Sequence, residues 1–489
     1  MKKIAVVAFI IMLMIGLAGC SGYGPGGTDL GKGYIDENMT DDEFNEIVEN
    51  EFVLTSEQKT SNVSLSANTA AYTTIRNFIK NKQKISKNQV RIEEMINYFK
   101  YQYGEPEGND VLNTVASVIK TPWTEDTYLL TVGMQAKNIE TTDIRNNLVF
   151  LLDVSGSMYA ANKLPLMQQA FIMLLQNLDE NDRVSIVTYA GSDAVLLDGE
   201  MGSEKLKIEA IISDLQASGS TAGAKGIQTA YSIARKNFIE GGNNRVILAT
   251  DGDFNVGISS QKGLEELIVK EREDGIYLSV FGFGMGNYKD NKLETLASKG
   301  NGNYGYIDNL LEARKALIED INGTLYTVAR DAKAQISFNE DVVEAYRLIG
   351  YENRQLTDEE FDDDKTDAGE IGAGHQVTVV YEIKLKDDFV EDAKYADFII
   401  RYKDPEVGKD TVLEQVTELR QATLLPQNDD INFITSVVEF GLILRDSKFK
   451  GTANLYAVLE RLEDIVNLED DPYKHEFKTL IEIYKSYHE

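Results

Sequence analysis

The sequence predicts an α/β chain built on a doubly wound, mostly parallel sheet, with helical and β-rich, sandwich-like segments flanking it. Three observations carry that expectation. Between residues 148 and 328, unbroken apolar runs (LVFLLD, RVSIVTYA, NRVILATD, YLSVFGFG) alternate with amphipathic stretches such as KLPLMQQAFIMLLQNL. Strands covered on both faces read this way, because neither side can tolerate a polar residue. On either side of that section lie segments rich in β-branched and aromatic residues: TYLLTVGMQ before it, and AKAQISF, EAYRLIGYE, HQVTVVYEIKL and YADFIIRYK after it. Finally, 43% of the 489 residues are hydrophobic and only 7 are proline, which is enough to bury more than one core.

The elements follow in chain order. Lys2 and Lys3 precede an apolar run, Ile4 to Leu17, that ends in Leu17-Ala18-Gly19-Cys20. Charge, apolar stretch and small residues make residues 1–19 a secretory signal, too short for a comfortable membrane span. The ending resembles a bacterial lipobox, which implies cleavage before Cys20, lipid on its thiol, and anchoring at the extracytoplasmic face of the cell membrane. Residues 20–52 read as the lipidated tether, with six glycines between 21 and 39 and a capping-box pair, Thr40 and Glu43, opening a short acidic helix. Residues 53–147 are expected to hold two helices and then strands. The second helix is signalled by Ser86 and Gln89 at capping-box spacing and by the apolar face Ile92, Met95, Ile96, Phe99. After the central section, residues 329–489 divide into a β-rich part, 330–403, and a helical part, 430–489. The acidic stretch 357–375 fails as an EF-hand. With position one at Asp362 the sixth residue is Asp367, and starting at Asp364 puts His375 where a glutamate is needed. It reads as a solvated acidic loop.

Composition removes several function classes. A formal charge of −31 repels nucleic acid, and no basic segment reverses the sign locally. A single cysteine forbids an internal disulfide. The three histidines, His375, His475 and His488, are far apart and none lies in 148–328, so a zinc site or a serine–histidine triad has little to work with. No G-x-S-x-G elbow is present, and GFGMGN (282–287) places Asn287 where a dinucleotide fingerprint needs its third glycine.

What remains is a cluster of oxygens. LVFLL ends in Asp153, followed by Ser155 and Ser157, so one carboxylate and two hydroxyls leave the C-terminal edge of a buried strand. Ligands bind at that edge in open α/β sheets. GSTAGAKGI supplies Thr221 just before a helix, and NRVILATDGD supplies Asp251 at the end of another strand. Oxygen side chains from three strand-edge loops, only two of them charged, suit a small hard cation. Mg²⁺ fits best, with Mn²⁺ or Ca²⁺ as alternatives, and it keeps an open or water-filled position. Asp253 reads equally well as an outer carboxylate or as turn chemistry.

The pattern D-x-S-x-S, a later threonine and a T-D-G turn resembles the metal-ion-dependent adhesion site (MIDAS) of von Willebrand factor type A (vWA) domains. That resemblance implies a Rossmann-like vWA domain over 148–328. Asp153, Ser155, Ser157 and Thr221 would bind metal, and Asp251 would act directly or through water. VRIEEMINYF (90–99), LATDGDFNVG (248–257), GFGMGNYKDNKLETLA (282–297), YRLIGYENR (346–354) and DAGEIGAGH (367–375) further resemble bacterial YfbK-type lipoproteins. In related vWA domains the last helix, here about 309–328, can shift on ligand binding. The function so implied is non-catalytic recognition of a protein partner that presents an acidic side chain to the metal. A scaffold for an envelope complex, with the metal supporting assembly, is the alternative.

Overall fold

Apolar runs without polar alternation have to be covered on both faces, and the central sheet is. The computed structural model describes residues 46–65, 68–139, 144–219, 223–252, 261–284, 290–320, 323, 325–387, 393–405 and 411–488. The signal segment, Cys20 and the Thr40–Glu43 motif lie outside them. Six strands form the central sheet in the order Tyr304–Ile307, Ile276–Phe283, Asn243–Thr250, Asn146–Asp153, Arg183–Tyr189, Asp193–Met201. The first five are parallel and the last is an antiparallel edge. Asn146–Asp153 and Asn243–Thr250 are buried along their whole length. Leu148, Phe150 and Leu152 cluster with Met167 and Phe171 of helix Leu164–Gln176 on one face. Val149 and Leu151 cluster with Ile227, Leu264 and Leu293, from three helices on the other. Pro165 in its first turn helps start helix Leu164–Gln176.

The chain order reverses at Asn146–Asp153: the next strand in sequence lies on one side of it and Asn243–Thr250 on the other. The loops leaving those two neighbours diverge to opposite faces and open a crevice at the sheet's C-terminal edge. Asp153 ends one strand; Thr250 ends the other, and Asp251 follows it.

Two further sheets are antiparallel, and each takes strands from both sides of the central section. One runs Val53–Leu54, Val343–Ile349, Gln376–Leu385, Tyr128–Ala136, Leu112–Lys120. The other runs Gln355–Leu356, Thr60–Ser64, Thr327–Phe338, Lys394–Lys403, Val412–Arg420, with Gly369–Gly372 paired to Thr327–Phe338. They pack face to face: the Phe338 ring stacks on Tyr346 at 4.4 Å and meets Tyr381 edge-on at 5.4 Å. The first of these sheets is buried on its other face too, since Leu129 and Val380 join the helical core of Ile434, Val437 and Phe440.

Several sequence expectations change here. Residues 53–64 hold two short strands joined by a turn rather than the start of a helical segment; Val53–Leu54 and Thr60–Ser64 pair with strands from beyond the central section. The helices that follow are Ala70–Lys80 and the short Ile92–Asn97, preceded by the Ser86/Gln89 capping box. The β-rich part runs past 403, to Arg420. The last helical stretch of the central section ends just short of 328 and is not one regular helix: Leu310–Arg314 passes into a π-helical turn, Lys315–Glu319, residues 323 and 325 are again helical, and by Thr327 the chain is a strand. From 357 to 370 the acidic stretch is solvated as expected, with only Phe361 buried, but it is not structureless. Thr357 caps a helical turn, Arg401 holds Asp362 and Asp364, and Lys299 holds Asp367.

Where the central section meets the flanking helices, one fully buried guanidinium organises the charges. Arg76 bonds Asp308, Glu312 at 2.9 Å, Glu476 at 3.0 Å and the Tyr98 hydroxyl at 3.0 Å. Asp320, just past the π-helical turn, is held by Lys100 at 2.9 Å and Lys315 at 3.0 Å. Burial raises the Glu312 carboxyl, with Arg76 opposing, whereas the two lysines hold Asp320 well below the usual carboxylate range against its burial.

Candidate metal centre

Asp153 is 0% exposed, and Ser155 and Asp251 are buried beside it. The turn after the strand directs these groups. The Ser155 amide donates to Asp153 Oδ1 at 2.9 Å, and the Ser155 and Ser157 hydroxyls lie 2.9 Å apart. From the neighbouring strand the Thr250 hydroxyl donates to Asp153 Oδ2 at 3.3 Å. Backbone bonds tie the next loop to this turn: Ser218 N to Val154 O at 2.8 Å, and Gly156 N to Gly219 O at 3.1 Å. Gly219 has φ +80°, and a Cβ on Gly156 would press against the Gly219 carbonyl at 3.2 Å, so glycine at both positions permits the approach. Thr221 and Asp253 themselves lie outside the described residues. So does the 285–289 part of GFGMGN.

Among the described residues Asp153 has no cationic partner. Burial pushes its carboxyl up to about 6, with Asp251 adding to the rise and the Ser155 hydrogen bonds opposing it. A buried carboxylate in that condition either takes a proton or takes a cation. With hydroxyls and one further acid, Asp251, around it, this donor set suits a hard divalent ion. Among the described residues no group of three His, Cys, Asp or Glu side chains is arranged to hold a metal ion, so at this rim hydroxyls would supply part of any such shell.

Two further residues belong to this rim and were missed from sequence. Lys163, at the start of helix Leu164–Gln176, places its ammonium 2.8 Å from Asp251 Oδ2. Tyr159, at the end of the short turn Gly156–Tyr159, is 85% exposed. Nothing in a single sequence separates Lys163 from the many surface lysines. Tyr159 carried a weak signal, an aromatic residue in an otherwise small and polar loop.

A doubly wound sheet with this crevice, and these oxygens at its switch point, defines a von Willebrand factor type A domain protein. The model for that domain matches residues 147–322; one described as von Willebrand factor matches 38–131, and one described as the YfbK C-terminal region matches 323–487. The chain belongs to the YfbK family: it is 38% identical to the uncharacterized protein YfbK of Escherichia coli (strain K12) over 445 residues, covering 86% of this chain and 77% of that one. Among solved structures it is similar to a von Willebrand factor type A protein from Catenulispora acidiphila, with TM-score 0.42 and 14% identity over 79% of this chain and 91% of that one. It is also similar to proximal thread matrix protein 1 of the mussel byssus, solved with a zinc-occupied MIDAS motif, with TM-score 0.31 and 21% identity over 36% and 45% of the two chains. The type A domain points to a protein-interaction or adhesion role, and domains of this kind commonly bind a divalent metal.

Proposed function

We propose that this chain is a lipoprotein, held through Cys20 at the extracytoplasmic face of the membrane, that recognises a protein partner through Mg²⁺ and performs no catalysis. Asp153, Ser155, Ser157, Thr221 and Asp251 hold the ion, Asp251 directly or through water. Its remaining position takes an acidic side chain from the partner. The observation that carries this reading is Asp153: buried, without a cationic partner among the described residues, and flanked by hydroxyls at the switch point of the sheet. Anchoring is assigned to the lipid on Cys20, on the strength of the Leu17-Ala18-Gly19-Cys20 ending. The ion also answers the charge problem. A protein of net charge −31 repels an acidic partner at long range, but exposed charges beyond about 8 Å are screened at physiological salt, whereas a metal–carboxylate contact is direct.

Calorimetry with Mg²⁺ and Mn²⁺ on wild type and on Asp153→Ala tests the metal; recovery of surface proteins with and without chelator tests the recognition. Wild type should bind the ion and retain a partner in a chelator-sensitive manner that changes little between about 50 and about 300 mM salt. The variant should lose both while unfolding at no lower temperature. A wild type indifferent to both ions would overturn the reading. A variant whose fold loosens along with metal loss would favour the assembly scaffold instead.

A further inference from the structure

Among the described residues the rim of the central sheet carries two buried carboxylates, and a side-chain cation meets only one of them. Lys163 is 13% exposed and Asp251 1%, so their 2.8 Å ion pair is nearly dry. Taking an ammonium out of water costs several kcal/mol unless a carboxylate meets it, so this side chain is committed to its position. The backbone shapes that position. Gly284 has φ +81°, and a Cβ there would collide with the Lys163 methylenes. The Gly284 carbonyl is fixed in turn by the Tyr306 hydroxyl. A strand end, a helix start and a glycine without a side chain thus combine to aim one ammonium at Asp251.

Charge counting gives the consequence. Asp153, Asp251 and Lys163 sum to one negative charge, and a divalent ion among them leaves one positive charge over. Without Lys163 the same ion would be neutralised by two carboxylates, and an incoming carboxylate would find no net attraction. We propose that Lys163 keeps the rim ion electrophilic by neutralising Asp251, weakening the protein's own hold on the cation and strengthening the cation's hold on an acidic ligand. This rests on the metal reading above and adds to it a residue acting through Asp251. It makes a demand that a merely structural lysine would not meet: the two affinities must move in opposite directions when the charge is removed.

The test uses the full-length protein in mild detergent, with Mn²⁺ as the metal probe and acetate as the carboxylate probe. Mn²⁺ affinity is read by electron paramagnetic resonance, and acetate binding by the relaxation of water protons on the bound ion. Lys163→Met should bind Mn²⁺ about tenfold more tightly and acetate about tenfold more weakly, while Lys163→Arg, which keeps the charge, should stay within about threefold of wild type in both. Lys163→Gln serves the same purpose should the methionine variant fail to fold. Both affinities falling together, or neither moving, while wild type binds Mn²⁺, overturns the role of Lys163 alone. A wild type that fails to bind Mn²⁺ overturns this role together with the metal reading on which it stands.

Discussion

Two places in this molecule bury carboxylates, and they treat them differently. At the junction of the central section with the flanking helices, Asp308, Glu312 and Glu476 surround the Arg76 guanidinium, and Tyr98 donates its hydroxyl to Glu312 at 2.7 Å. At the rim of the central sheet, Asp251 meets Lys163, but among the described residues Asp153 meets an amide and hydroxyls and no cation. A planar guanidinium with five donors can bond several carboxylates at once, and Lys80 also meets Glu476, so every carboxylate of the junction has a cationic partner within the chain. Asp153 is left with a charge that the described residues do not balance. The contrast separates two uses of buried acid: one holds elements together, the other is held ready for a cation from outside.

The largest expected effect breaks the junction. Arg76→Met leaves Asp308 and Glu312 without their guanidinium and Glu476 with Lys80 alone, and removing one partner of a buried charge cluster costs about 3–5 kcal/mol. Denaturant unfolding should show that loss, and a loss below about 1 kcal/mol would mean the cluster is far better solvated than its burial indicates. At the rim the sign reverses. With chelator at neutral pH, Asp153→Asn should stabilise the protein by about 2–3 kcal/mol, because a carboxyl pushed up to about 6 is penalised when ionised. Adding Mg²⁺ should then raise the melting temperature of wild type but not of the variant.

The pH dependence sharpens the same comparison. A carboxyl raised in the folded state is stabilising in its protonated form, so its penalty is absent below its ordinary value of 3.8 and grows as pH rises through about 6. The advantage of Asp153→Asn in chelator should therefore shrink between pH 7.5 and pH 5. Over the same interval wild-type Mg²⁺ affinity should fall, by up to about tenfold per unit below pH 6, because a proton and the ion compete for one carboxylate. Asp320, held low by Lys315 and Lys100, follows the opposite course, and its contribution is lost as pH falls toward its depressed value. The smallest effect is at Tyr159. Tyr159→Ser should leave unfolding unchanged, since the ring is 85% exposed, and weaken partner retention by about tenfold if the ring is an aromatic anchor beside the ion. Equal retention would place the partner's footprint elsewhere on the rim.

Much of the central sheet was legible because its strands are covered on both faces, and that requirement leaves uninterrupted apolar runs. The strands that escaped lack this constraint. Asp193–Met201 is a half-exposed edge, Val412–Arg420 has one open face, and Val53–Leu54 and Thr60–Ser64 owe their conformation to partners nearly three hundred residues away. Propensity cannot anticipate pairing at that distance. At the candidate site, Asp153, Ser155, Ser157 and Asp251 could be named because their spacing is local to two strand ends. The bond from Thr250 to Asp153 and the pairing of Lys163 with Asp251 cross between strands and helices, and carry no mark in the linear order.

The chain's order of residues alone determined where buried strands end and which oxygens follow them, since burial on two faces and a turn's chemistry are short-range demands. Only the tertiary structure decided which of the two rim carboxylates would have an internal cation and which would not. It also decided that sheets before and after the central section would be shared. Charge compensation in a dry interior depends on separations of a few ångströms, and sheets close through pairing between distant segments; neither quantity is written in spacing along the chain.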